Sequence, residues 1–395
     1  MADRPITNLR VHVYGTQGSG SIFPSRSERL AFQRRSDRDL LLHVFEDIAR
    51  RAGPDGQISA TVEELLGGPL TPRTIATYAD RFDVPEPRVY GGWTTCVRIE
   101  TADDYDIVLD CGSGFRNCAR DLQTKWGSRQ ERHLYLFGSH SHLDHTEGFD
   151  QAAVCFDPRN HLHIHGNEQF LRALDYHLGI FTRQVASSAQ GVQTPIFFGV
   201  MPATFHACAI GTPTTGPDPD GRPPLGARAH DLSAPVQVGE TSITPFEVFH
   251  PAPCLAYRIE HRGRVMVFCT DHELRHGDPS HPDWQASREA EARLIAHATG
   301  ADLLYRDGQY LRSEYDGMQG IGTSGAIPRA GWGHSCIEDV IDMSVACGVR
   351  HTLIGHHDPN REWSERNWLD ESLARRTAGS DRSIELARAE TVFDL

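Results

Sequence analysis

Between residues 138 and 150 the chain reads GSHSHLDHTEGFD, which sets His140, His142, Asp144 and His145 within six positions. Neutral imidazoles and carboxylates are ligands for divalent cations. An H-x-H-x-D-H spacing lets His140 and His142 turn towards one ion while Asp144 and His145 turn towards a second. Zinc suits that donor set, and so do manganese and iron; donor softness does not choose among them. The residues just before, HLYLF at 133–137, form an apolar run of strand length that Gly138 ends. The four donors therefore belong on a loop leaving a buried strand, where a scaffold presents reactive groups.

Around that loop the sequence alternates strand and helix patterns. A short strand at 9–14 runs into the Gly-rich turn GTQGSG at 15–20. Strand-type runs follow at 94–99, 106–109, 162–164, 243–249, 255–260 and 264–269, and helical spacing at 168–178, 289–298 and 337–347. Residues 24–88 differ in character: helical patterns at 28–51, 61–66 and 71–82 suggest an insertion, with Ser27 as the candidate N-cap of the first. The Gly/Pro-rich stretch 211–224 reads as a surface loop. Hairpin-like pairs mixed with helices predict a layered α/β architecture rather than a regular βαβ array.

Composition narrows the class of partner. The 395 residues carry 39% hydrophobic and 23% charged side chains, the balance of a globular domain. A formal charge of −14 disfavours non-specific binding to a long nucleic acid, although a metal cluster can reverse the field locally for a small anion. The nine cysteines are dispersed without a C-x-x-C pair, which fits reduced thiols. The first residues show no secretory pattern and no apolar run reaches membrane-spanning length, so a cytoplasmic location is expected.

Three later stretches, FEVFHPAPCLAYRI, RVMVFCTDHE and HTLIGHHDP, each put a donor directly after an apolar strand-like run. With the H-x-H-x-D-H loop they make the chain resemble the metallo-β-lactamase fold hydrolases. The resemblance implies a single four-layer αββα sandwich, α+β in class, spanning 1–395 with the 24–88 insertion within it. It implies two divalent metal ions, zinc foremost, with His140, His142 and His250 on one, Asp144, His145 and His356 on the other, and Asp271 bridging. His357 adjoins His356 as an alternative ligand. His272 and the alternating His161, His163 and His165 are expected to be strand or supporting residues.

Further stretches, VYGTQGS, GGWTTCVRI, IVLDCGSGFRNCARDL, ADLLYRDGQY and GWGHSCIEDVIDMSVACGV, are similar to the branch holding ribonuclease Z and related phosphodiesterases. In that branch Asp110 orients the metal loop. His334 lies near the scissile phosphate, with Asp307 steadying it; these two and Asp144 are the implied catalytic residues. The chain departs from the branch in the insertion, at Trp93 where asparagine is common, and over 180–240, with no counterpart of the tRNA-gripping arm. The expected activity is hydrolysis of a small, nucleotide-type phosphodiester by a hydroxide bridging the metals. A lactonase-, lactamase- or sulfatase-like reaction and a ribonuclease Z-like cut of RNA are the alternatives. A homodimer is expected from the resemblance.

Overall fold

The computed structural model describes residues 6–82, 90–179, 201–211 and 224–395. They fall into two compact units, one built from the chain up to Phe23 and from Tyr90 onward, the other lying within Pro24–Val89. The insertion expected from the sequence spans 24–88.

The larger unit holds two sheets. The first contains β1 (Leu9–Gly15), β2 (Cys96–Thr101), β3 (Asp106–Leu109), β4 (Arg132–Phe137), β5 (Asn160–Gly166), β6 (Thr204–Ile210), β7 (Arg228–His230) and β15 (Thr391–Asp394), in the order β15-β1-β2-β3-β4-β5-β6-β7. The second contains β8 (Val236–Val238), β9 (Thr241–Val248), β10 (Cys254–His261), β11 (Arg264–Cys269), β12 (Leu303–Asp307), β13 (His351–Gly355) and β14 (Ser383–Leu386), in the order β14-β13-β12-β11-β10-β9-β8. In each sheet one half is antiparallel and the other parallel. Parallel strands covered on both faces need continuous apolar runs. Asp-Ile-Val-Leu of β3 and Leu-Leu-Tyr-Arg-Asp of β12 are accordingly buried throughout.

Three layers of apolar contact follow. Val11, Ile99, Leu109 and Phe137 of the first sheet meet Tyr257, Phe268, Tyr305 and Leu353 of the second. The first sheet's outer face is covered by α4 (Phe115–Trp126) and α5 (Glu168–Gly179), through Phe115, Leu122, Phe170 and Leu171. The second sheet's outer face is covered by α6 (Pro282–Ala298) and α8 (Ile337–Cys347), through Leu294, Ala298, Met343 and Cys347. A short helix, α7 (Arg312–Tyr315), precedes α8, and α9 (Trp363–Thr377) packs Leu369 and Leu373 beside β14. The result is the αββα sandwich that the resemblance implied.

Several boundaries moved. The helix α6 starts at Pro282 rather than 289, capped by His281. The loop expected over 211–224 lies, between 212 and 223, outside the described residues.

In the smaller unit, α1 (Arg26–Arg50), α2 (Val62–Leu66) and α3 (Pro72–Ala79) each begin with a capping box. Ser25, not Ser27, caps α1: its hydroxyl accepts from Glu28 N while its own N–H donates to the Glu28 carboxylate at 2.8 Å. The S-x-x-E spacing selects Ser25 because only a residue three ahead of the glutamate can exchange both bonds. Tyr78 of α3 donates to Asp47 of α1 at 2.7 Å. Among the described residues no helix is long and apolar enough to cross a membrane.

Candidate metal centre

The donors gather because strand ends do. β9, β11, β12 and β13 run the same way in the second sheet, so their carboxyl ends share one edge. Just beyond those ends stand His250, Asp271 and His356, with Asp307 as the last residue of β12. From the first sheet the loop after β4 brings His140, His142, Asp144 and His145 to the same edge. Two bonds fasten that loop across the sandwich: Tyr257 Oη donates to Gly138 O at 2.6 Å and Leu255 N to Ser139 O at 3.0 Å. Gly138 is required there, since a Cβ would lie 2.1 Å from the Phe170 ring.

Two adjoining groups of donor atoms take in the residues named from the sequence: His140, His142, His250 and Asp271 form one, and Asp144, His145 and His356 the other, while His334 also comes within reach of Asp271 and His356. Asp271 stands between them. Its Oδ2 lies 3.4 Å from His140 Nε2 and 3.9 Å from His250 Nε2, while its Oδ1 lies 3.3 Å from His145 Nε2 and 3.1 Å from His356 Nε2. His142 Nδ1 is 3.3 Å from His250 Nε2, and Asp144 Oδ2 is 3.1 Å from His356 Nε2. All seven residues named from the sequence are thus brought together. His357 is not: its Nε2 meets the carbonyl of Ala387 at 2.8 Å, while His356 takes a left-handed backbone, φ 57°, that turns its ring to the cluster. Asp110 shares that left-handed turn at the end of β3, φ 59°. Such conformations are uncommon for residues other than glycine, and collect at functional sites.

Fit to a cation can be judged from the donor atoms themselves. The buried Nε2 atoms of His140 and His145 have no hydrogen-bond partner, an arrangement that costs free energy unless something else satisfies them. Burial, opposed in part by Asp271, holds His140 well below the ordinary imidazole range, and it pushes His250 down to about 4. Neutral rings are the form a metal binds. His145 and His356 behave oppositely: burial works against their charge, but Asp271 and Asp144 outweigh it, lifting His356 to about 9. Asp144 and Asp271 stay far below the usual carboxylate range against burial, because His145 and His356 lie against them. Protons stand where positive charge is wanted. The donor set therefore fits divalent cations.

Supporting residues fix the ring orientations. Asp110 accepts from Ser139 N at 2.6 Å and Ser139 Oγ at 2.8 Å, and its Oδ2 lies 2.7 Å from His145 Nδ1. Gln309 Oε1 is 3.2 Å from His356 Nδ1, and Gly333 O is 2.9 Å from His250 Nδ1. Carbonyl and carboxylate partners of this kind hold a ligand histidine with its other nitrogen presented to the metal. The pair His334 and Asp307 also forms, Nδ1 to Oδ2 at 3.1 Å, with His334 Nδ1 3.9 Å from Asp271 and its ring stacked 4.6 Å from that of His356.

Other histidines stay outside both donor groups. His272 Nε2 meets Glu291 at 2.9 Å. His161, His163 and His165 lie along β5 in ring stacks, His163 4.5 Å from Tyr135 and His165 4.6 Å from Phe137. Sequence reasoning missed Gln309 and Glu273. The latter is fully buried and accepts from Gly331 N, Gly333 N and Tyr315 Oη, so it ties the end of β11 to the segment before His334. Its place two residues after Asp271 was the only signal available.

No family model matches the chain, and no curated protein matches it. Among solved structures it is similar to the metallo-β-lactamase fold protein YhfI from Bacillus subtilis, 13% identical, covering 98% of this chain and 99% of that one, with a TM-score of 0.46. It is similar to the short form of human tRNase Z at 12% identity, 97% and 98% coverage and a TM-score of 0.49. Yeast PDE1 is likewise similar at 12% identity, over 78% of this chain and 96% of that one, with a TM-score of 0.46. No site residue is carried across from them: the likeness of this chain to metallo-β-lactamase fold proteins is one of fold.

Proposed function

We propose that the chain is a metal-dependent hydrolase of small phosphodiesters. Two divalent cations, held by His140, His142 and His250 and by Asp144, His145 and His356 with Asp271 shared, would activate water and neutralise charge on phosphoryl oxygens. The observation that carries the phosphodiester reading is the Asp307–His334 pair beside that cluster. Asp307 is fixed: its Oδ1 accepts from Gln309 N at 3.0 Å and its Oδ2 from Ser335 N at 3.3 Å. It holds His334 by Nδ1, which leaves Nε2 as the nitrogen able to give a proton to a departing oxygen. An alkoxide leaving phosphorus needs that proton, and a positioned imidazole can act as its general acid. The charge of −14 supports a small substrate over long RNA.

The test is metal analysis of purified protein together with turnover of bis(p-nitrophenyl) phosphate and of a dialkyl phosphodiester. We expect two equivalents of metal in both wild type and His334→Ala. The variant should lose about 10²- to 10⁴-fold in kcat on the alkyl diester, and less on the nitrophenyl diester, whose leaving group needs no proton. Equal losses on both would remove the acid role. Two equivalents without any phosphodiester turnover would move the reading to a carboxylic ester or amide.

A further inference from the structure

Trp332 is 51% exposed, although it stands two residues before His334. An exposed indole on a loose loop would mean little, but this loop is fastened on both sides of the ring. Gly331 N and Gly333 N donate to the buried Glu273 carboxylate at 2.8 and 2.9 Å. Both glycines have positive φ, 91° and 93°, and a Cβ on Gly333 would fall 2.2 Å from His250 Nδ1. The backbone on either side of Trp332 is therefore fixed against the metal cluster, while its ring is left facing solvent. An indole whose backbone the fold fixes and whose ring it leaves half exposed can offer one flat apolar face to a bound group.

The surroundings say which ligand. The buried guanidinium of Arg329 lies 5.9 Å from the Trp332 ring and 5.4 Å from that of Tyr310, which is itself 5.9 Å from the ring of His334. Arg329 donates to the carbonyls of Glu314 and Ile327 and to Ser324 Oγ, and no carboxylate pairs with it among the described residues. A guanidinium without a close ion pair behind a flat π surface suits an anion that carries a flat ring.

Resting on the phosphodiester reading above, we propose that Trp332 stacks on a planar ring borne by one ester group of the substrate. Nucleoside and aryl phosphodiesters are then its preferred substrates, with simple alkyl ones turned over but bound more weakly. Adenosine 5′-phosphate and methyl phosphate serve as probes on the metal-loaded protein, by equilibrium dialysis and by competition with bis(p-nitrophenyl) phosphate. The wild type should bind the nucleotide about tenfold more tightly or better, the worth of one stacked base. In Trp332→Ala that ratio should fall towards one, and in Trp332→Phe it should largely persist. A wild-type ratio near one overturns the proposal without recourse to any variant, as does a ratio that Trp332→Ala leaves unaltered. Either result alongside normal turnover of bis(p-nitrophenyl) phosphate would leave the phosphodiester reading standing. Absence of both turnover and binding would overturn the two together.

Discussion

Asp110 shows how much one residue can settle at this site. Its two oxygens hold the Ser139 backbone, the Ser139 hydroxyl and His145 Nδ1, and it does so from a left-handed backbone at the end of β3. Replacing Asp110 by Asn keeps the shape but removes the charge that fixes the His145 tautomer. We expect metal affinity to fall about 10- to 100-fold, measured by competition with a chelator, with the far-ultraviolet circular dichroism unaltered. Affinity equal to wild type would mean that His145 needs no such partner. At this scale the sequence was most informative about side chains whose chemistry is unusual and clustered: four donors in six positions announce themselves. Glu273 and Gln309 could not be read, because an acid or amide on a strand end is ordinary until its partners, 58 and 47 residues away, are known.

Between elements, the buried ion pair of Glu291 and Arg306 joins α6 to β12, with two bonds of 3.0 and 2.7 Å. Burial would raise the Glu291 carboxyl, but Arg306 and His272 outweigh it and bring it from 4.5 down to about 2. A depressed folded value means that this carboxylate stabilises the fold fully above pH 4.5 and progressively less as pH falls towards 2, by about 3 kcal/mol across the window. Urea denaturation of wild type and Glu291→Gln should therefore differ most at neutral pH and converge towards pH 2. Curves that stay parallel through that range would refute the linkage. Elements were legible where their pattern was periodic and local. The run at 264–269 is β11, and that at 337–347 is α8. The helix α9 escaped because WSERNWLDESLARRT has no clean apolar stripe. The early start of α6 escaped because PDWQASR holds it by its proline and cap rather than by periodicity.

Over the whole molecule, the two stretches of the sandwich that flank residues 24–89 in sequence lie against each other. A Cβ on Gly92 would lie 2.3 Å from the Ile22 carbonyl, and the Phe23 and Trp93 rings meet edge to face at 4.7 Å. A chain joined directly from Phe23 to Tyr90 should thus melt cooperatively and keep the wild-type metal content; an aggregated product would show that the sandwich depends on the excised residues. The other meeting of distant segments concerns synthesis. β1 is an inner strand because β15 pairs along its far side, Arg10 with Asp394 across a separation of 384 residues. A ribosome therefore releases β1 long before its partner exists, and one row of its amide and carbonyl groups stays open for most of translation. Contacts so remote in sequence form late. Newly made chains should accordingly need protection of that strand until residues 391–394 have emerged, and pulse-labelled hydrogen exchange on refolding protein should find the β1 amides facing β15 among the last to be protected.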